Sequence, residues 1–199
     1  GRVAARGTPG DILDPKLILE VFKVRVAVHR QGRRPYLTPL WTEPPETPRT
    51  AGQVKVHVIA GGGAASGLLE RLVMRGITPT VGIVSVFDTD YATAQRYELE
   101  VVSSPPFEPF PVEAVQEFEE LALAADVIVV APVFFGRGNL APLRTALQAA
   151  RTGKKVILVD SSPMAERDLS GGAAAALAEE LLTAGAIAVA DGAEMVERI

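Results

Sequence analysis

Between residues 54 and 199, short apolar runs rich in β-branched residues alternate with stretches in which apolar positions recur every three or four residues. The first pattern suits buried strands and the second suits helices with one apolar face. Strands are expected at 54–60, 80–86, 100–103, 126–131, 156–159 and 186–190. The run D-V-I-V-V-A at 126–131 has no polar alternation, as a strand covered on both faces requires. Between the strands, helices are expected from Leu68, at 91–97, at 112–124, from Asn139 to about 151, at 172–184 and at 193–198. Within 112–124, Val112, Val115, Phe118 and Leu121 fall on one stripe. Six strands alternating with helices predict an α/β fold, a doubly wound, mostly parallel Rossmann-like sheet. If the strands take the common order 3-2-1-4-5-6, the first and fourth are neighbours. The loops that follow them then face each other across one crevice.

The first forty residues carry a different pattern. Asp14 followed by Pro15 reads as a helix N-cap with proline at the first helical position, opening a helix to about Phe22. Val24, Val26 and Val28 then alternate with Arg25, Ala27 and His29, as in a half-buried strand. Gln31-Gly32-Arg33-Arg34 is a hairpin-like turn, after which 35–40 pairs back. A helix with a two-stranded ribbon is too small to be stable alone. Residues 41–52, W-T-E-P-P-E-T-P-R-T-A-G, have three prolines and no apolar period, and read as a semi-rigid linker. The expected divisions are an appendage at 1–40, the linker at 41–52 and the Rossmann-like domain at 53–199.

Composition narrows the function. A formal net charge of −4 argues against nucleic acid as the main partner, and the only basic cluster is Arg30, Arg33 and Arg34. With no cysteine, the chain has no disulfide, thiolate metal site or cysteine nucleophile. No apolar run approaches the roughly 18 residues that a spanning helix needs.

The stretch V-K-V-H-V-I-A-G-G-G-A-A-S-G is the centre of the candidate chemistry. It takes a strand into a helix through three glycines, a turn whose backbone N–H groups can approach an anion at a helix N-terminus. Gly61, Gly63 and Ser66 give G-x-G-x-x-S, with Gly67 one place late for the dinucleotide fingerprint. Gly62 completes the loop, and close packing of helix on strand is the competing use of these glycines. The facing loop is expected to be F-F-G-R-G-N, comprising Phe134, Phe135, Gly136, Arg137, Gly138 and Asn139. There Arg137 is a candidate anion donor and Asn139 either a ligand group or the cap of the next helix. Asp88 and Asp90 close the second strand, Asp88 in the place of a ribose-binding acid and Asp90 as cap of the helix at Tyr91. Two carboxylates without a third acid make a poor metal cage, so no metal is assigned. Ser161 and Ser162 are candidate phosphate donors or turn residues before Pro163. His29 and His57 read as structural, and no acid/base pair stands out, so no catalytic residue is assigned. Phe107, Phe110, Phe134 and Phe135 gather in loops at one sheet edge, as walls for a base or a corrinoid would.

Two resemblances extend this reading. The opening G-R-V-A-A-R-G-T-P-G-D-I-L-D-P-K-L-I-L-E-V-F-K-V-R-V-A-V-H-R, closing with G-R-R-P-Y-L-T-P-L, resembles the C-terminal tail of ABC importer ATPase subunits for iron-siderophores, haem and vitamin B12. Gly1, Gly7, Thr8, Pro9, Leu13, Pro15, Val24, Val26, Val28, Pro35 and Pro39 fall on that tail's pattern. The G-x-x-x-x-G-K-[ST] phosphate loop of such ATPases is missing from the 199 residues. The resemblance implies a C-terminal fragment of a transporter ATPase, beginning inside its tail, with ATP and Mg²⁺ held upstream. It also implies membrane permease subunits as partners, a homodimer, and a cytoplasmic place peripheral to the inner membrane. On this view 53–199 is a regulatory or ligand-binding accessory domain. The second resemblance is to the lysine-decarboxylase-like Rossmannoid proteins, whose G-G-G-x-x-G-L-M turn is similar to Gly61-Gly62-Gly63 and Gly67-Leu68-Leu69. It implies a nucleotide or nucleoside-phosphate ligand, although the loop P-V-F-F-G-R-G-N-L-A-P lacks that group's Thr and Glu.

Overall fold

A computed structural model describes residues 3–22, 24–31, 34–40 and 54–199, apart from the side chains of Arg25, His29, Arg30, Gln31, Arg34, Pro39 and Leu40. The predicted linker at 41–52, Gly1, and Gly32 and Arg33 of the predicted turn lie outside the described residues. The chain divides into two compact units, Gly1–Glu46 and Thr47–Ile199.

The first unit holds α1 (Pro9–Ile12), α2 (Pro15–Phe22), β1 (Arg25–Gln31) and β2 (Arg34–Leu40). Asp14 Oδ1 accepts from Leu17 N at 2.9 Å, so the Asp-Pro helix start is realised. The short α1 was not legible as a helix. It is closed by Thr8 N donating to Asp11 Oδ2 at 2.9 Å, a capping arrangement spaced by three residues. β1 and β2 pair antiparallel, with Val28 opposite Leu37. Among the described residues of this unit, only Ile18 and Val26 are buried apolar side chains.

The second unit is a six-stranded parallel sheet. Its strands are β3 (Val56–Ile59), β4 (Thr80–Ser85), β5 (Val101–Ser104), β6 (Val127–Val130), β7 (Lys155–Val159) and β8 (Ile187–Val189). Their order across the sheet is β5-β4-β3-β6-β7-β8, which is the expected 3-2-1-4-5-6. The winding reverses between β3 and β6, where Ile59 pairs with Val130 and Ala131 N donates to Ile59 O at 3.0 Å. The helices are α3 (Ser66–Met74), α4 (Thr89–Arg96), α5 (Val112–Ala124), α6 (Ala141–Arg151), α7 (Met164–Arg167), α8 (Ala173–Thr183) and α9 (Gly192–Arg198). α3 packs against α4 and α9, while α6 packs against α5 and α8. These two groups cover the two faces, which is why β3 and β6 are buried at every position.

Burial follows the apolar stripes in part: on the stripe expected in α5 Phe118 is buried, but Val112 is 67% exposed, and Ala114 and Ala122 complete the buried face. Leu69 and Leu72 of α3, Phe118 of α5, Leu143 of α6 and Leu181 of α8 are all fully buried. α9 lies so close to α3 that a Cβ on Gly192 would stand 2.6 Å from Leu68 Cδ2. His57, in β3, is also fully buried, with Nδ1 2.7 Å from Thr80 Oγ1 and its ring edge-on to Phe118 at 4.9 Å. Burial holds its pKa down at about 4, so the ring is neutral at physiological pH. The structural reading of His57 therefore agrees with its surroundings, and the side chain of His29 lies outside the described residues.

Candidate functional site

The loop from β3 to α3 turns through Gly61, Gly62 and Gly63, all at positive φ, of which Gly62 and Gly63 are left-handed at +67° and +75°. That succession gathers backbone N–H groups on one side of the chain, the concavity that commonly holds an anion. Here the anions are the protein's own. Asp88 Oδ2 accepts from Gly62 N at 2.6 Å and Asp88 Oδ1 from Gly63 N at 3.1 Å. Asp90 Oδ2 accepts from Gly61 N at 2.8 Å, and both its oxygens lie 3.1 Å from Ala65 N. Ser66 Oγ donates to Asp90 Oδ1 at 2.7 Å and accepts from Thr93 Oγ1 at 3.1 Å.

This arrangement reverses the sequence reading of the acidic pair. Asp88 is the cap of α4, accepting from Asp90 N at 2.9 Å. Asp90, two residues on, lies in the first turn of α4 and is fully buried. Its carboxylate occupies the positive end of α3, where charge and backbone donors together favour an acid. Gly67 is the second residue of α3, and a Cβ there would meet nothing within 4 Å. The close helix-on-strand approach expected of a third fingerprint glycine is therefore not made at Gly67.

The facing loop follows β6. Val133 and Phe135 point inward at 5% and 1% exposure, while Phe134 is 60% exposed. Val133 Cγ1 would lie 3.4 Å from a Cβ on Gly61, so the two loops meet at the base of the crevice. Asn139 does not cap α6, whose cap position is Leu140. Its Oδ1 accepts from Gly136 N at 2.7 Å and its Nδ2 donates to Phe134 O at 3.0 Å, closing the loop on itself. Between the two loops lies a cavity of about 220 Å³. Gly61, Gly62, Asp88, Phe135 and Asn139 line it, together with Phe110 and Phe134. Gly63, Ser66, Gly67, Gly136, Gly138 and Ser161 are not among its lining residues. Arg137 is exposed, with its guanidinium beside Gly171 at the start of α8 rather than in the cavity.

Arg167 was missed by sequence reasoning. Its side chain is 1% exposed. It donates from Nε to Ser162 O, from Nη1 to Val133 O and from Nη2 to Asp160 Oδ1, at 2.9, 3.2 and 2.9 Å. Phe135 N donates to Arg167 O at 2.9 Å, and Leu169 N donates to Phe135 O at 2.8 Å. One buried guanidinium thus ties the loop after β6 to the loop after β7 and fixes the wall that carries Phe135. Beside it, Asp168 accepts from Ser170 Oγ and from Ala175 N at the start of α8. These bonds hold its carboxyl down at about 2, the Ser170 hydroxyl contributing most.

A family model described as the MJ0874 family matches residues 79–196, more than half of the chain. The chain belongs to the MJ0874 family. The matched part of this MJ0874-family chain contains Asp88, Asp90, the aromatic loop and Arg167, and begins after the glycine loop. Over 195 residues the chain is 31% identical to proteins named "Cobalamin import ATP-binding protein BtuD" from two strains of Halobacterium salinarum. The alignment takes in 97% of this chain and 44% of each relative, so the chain spans less than half the length of the curated relatives it matches. Among solved structures, one described as the glycotransferase of kitacinnamycin is 13% identical with a TM-score of 0.35, over 68% of this chain and 41% of that one. That likeness is too slight to bear on fold or function.

Proposed function

We propose that this chain is part of the ATP-binding subunit of an ABC importer of the cobalamin type, in which residues 53–199 form a regulatory, ligand-binding domain. The observation that carries the reading is the extent of the similarity to relatives named for cobalamin import, which covers 97% of this chain and so runs through both compact units. The competing reading, a nucleotide-processing enzyme, drew its force from the glycine loop, whose amides Asp88 and Asp90 occupy. The importer reading makes membrane permease subunits the partners, places the protein at the cytoplasmic side of the inner membrane, and includes a homodimer. Among the described residues no helix is long and apolar enough to cross a membrane.

The test uses the full-length protein assembled with its permease in proteoliposomes, comparing cobalamin uptake for the wild type and for Phe134→Asp at the mouth of the crevice. Uptake or its coupling to ATP hydrolysis should change, while the 199-residue chain alone should not hydrolyse ATP. ATP turnover by the isolated chain, or uptake indifferent to the substitution, overturns the reading.

A further inference from the structure

The cavity between the two loops has an apolar floor of Ile59, Ile83, Val84 and Val133, with Phe110, Phe134 and Phe135 as aromatic walls. No lysine, arginine or histidine lines it. The amides that could receive a phosphate at its edge are engaged: Gly61, Gly62, Gly63 and Ala65 by the two aspartates, and Gly136 by Asn139. A phosphate entering here would meet the Asp88 carboxylate with no cation to compensate, an arrangement that disfavours anions.

Asp88 instead offers acceptor capacity. A carboxylate has about four lone-pair directions, and Gly62, Gly63 and Asp90 amides take three of them. The volume of about 220 Å³ lies below the roughly 300–1,000 Å³ of pockets that enclose drug-sized ligands. It suits one small fused ring better than a whole corrinoid.

We infer that this crevice binds an uncharged planar ring carrying an N–H donor and excludes phosphate-bearing ligands. The ring stacks between Phe110 and Phe134 and donates to Asp88. This deepens, and rests on, the reading of the crevice as a ligand site.

The experiment titrates the full chain with adenine, indole, AMP and inorganic phosphate, following backbone amide resonances and calorimetric affinity. Adenine or indole should shift the amides of Gly62, Phe134 and Phe135. AMP should bind at least about tenfold more weakly than adenine, equivalent to 1.4 kcal/mol, and phosphate should leave the glycine loop unmoved. Phe134→Ala, at an exposed position that the fold does not need, should weaken adenine binding. Asp88→Asn should narrow the gap between adenine and AMP. AMP binding as tightly as adenine, phosphate shifting the Gly61 to Gly63 amides, or no crevice response to either ring would each overturn the inference. That failure is separable from failure of the importer reading, which is decided by uptake and ATP turnover.

Discussion

Replacing Asp90 by alanine tests whether the glycine loop is held by the protein's own acids. Asp90 is fully buried and accepts from Gly61 N, Ala65 N and Ser66 Oγ. Alanine strands the Ala65 amide in a buried place and the Gly61 amide in a half-buried one. Each unsatisfied buried donor costs about 1–3 kcal/mol. The Ser66 hydroxyl loses less, because it keeps its bond from Thr93. Loss of a carboxylate at the start of α3 adds about 0.3–1 kcal/mol. The expected destabilisation is about 3–4 kcal/mol, a large share of the 5–15 kcal/mol typical of a folded domain. At about 2 kcal/mol per molar urea, the unfolding midpoint followed by far-ultraviolet circular dichroism should fall by about 1.5–2 M. Asp90→Asn keeps the shape and one acceptor but turns an NH₂ group toward donors, so it should lose about half as much. A loss below about 1 kcal/mol for Asp90→Ala would refute the self-liganded loop.

Other consequences follow from the same contacts. His57 has its folded-state pKa lowered to about 4 from 6.5, so its contribution to stability is present above pH 6.5, declines as pH falls through that window, and levels off below about pH 4. At 1.36 kcal/mol per unit the loss is about 3 kcal/mol, and His57→Gln should flatten stability between those pH values in denaturant melts. Arg167→Met leaves Val133 O and Ser162 O without their donors and should cost about 3 kcal/mol, with faster hydrogen exchange at Phe135. Arg167→Lys should recover only part of this, because one ammonium cannot span three acceptors set for a planar fork. Gly192→Ala brings a methyl within 2.6 Å of Leu68 Cδ2 and 3.1 Å of Arg71 Cδ. It should cost about 1–2 kcal/mol, lowering the melting temperature by roughly 2–8 °C in a scanning calorimeter.

The sequence carried the fold almost completely, because its signals are local. The unbroken apolar run over 126–131 announced a strand covered on both faces, and β6 is buried throughout. The period of three in 112–124 picked out Phe118 as core, although Val112 on the same stripe stays exposed and the buried face runs through Ala114, Phe118 and Ala122. Glycine punctuation placed the loop at Gly61 to Gly63, which all take positive φ. With the strand order common to such sheets, these signals also place a crevice between the loops after the first and fourth strands.

Tertiary structure alone decided what that crevice is. Asp88 and Asp90 look like a ribose acid and a cap when read along the chain. Their partners are amides and one hydroxyl 24–29 residues earlier, and only the pairing of β3 with β4 brings the two loops together. Nothing about Arg167 in M-A-E-R-D-L stands out in one dimension, since its acceptor on Val133 joins those on Asp160 and Ser162 only when the loops after β6 and β7 fold together. Phe134 and Phe135 are adjacent and chemically identical, yet one is 60% exposed and the other 1%. Period and propensity report how a segment is covered. Which donor meets which acceptor is set by the approach of distant segments, and that approach turned a glycine loop suited to phosphate into one closed by the chain's own carboxylates.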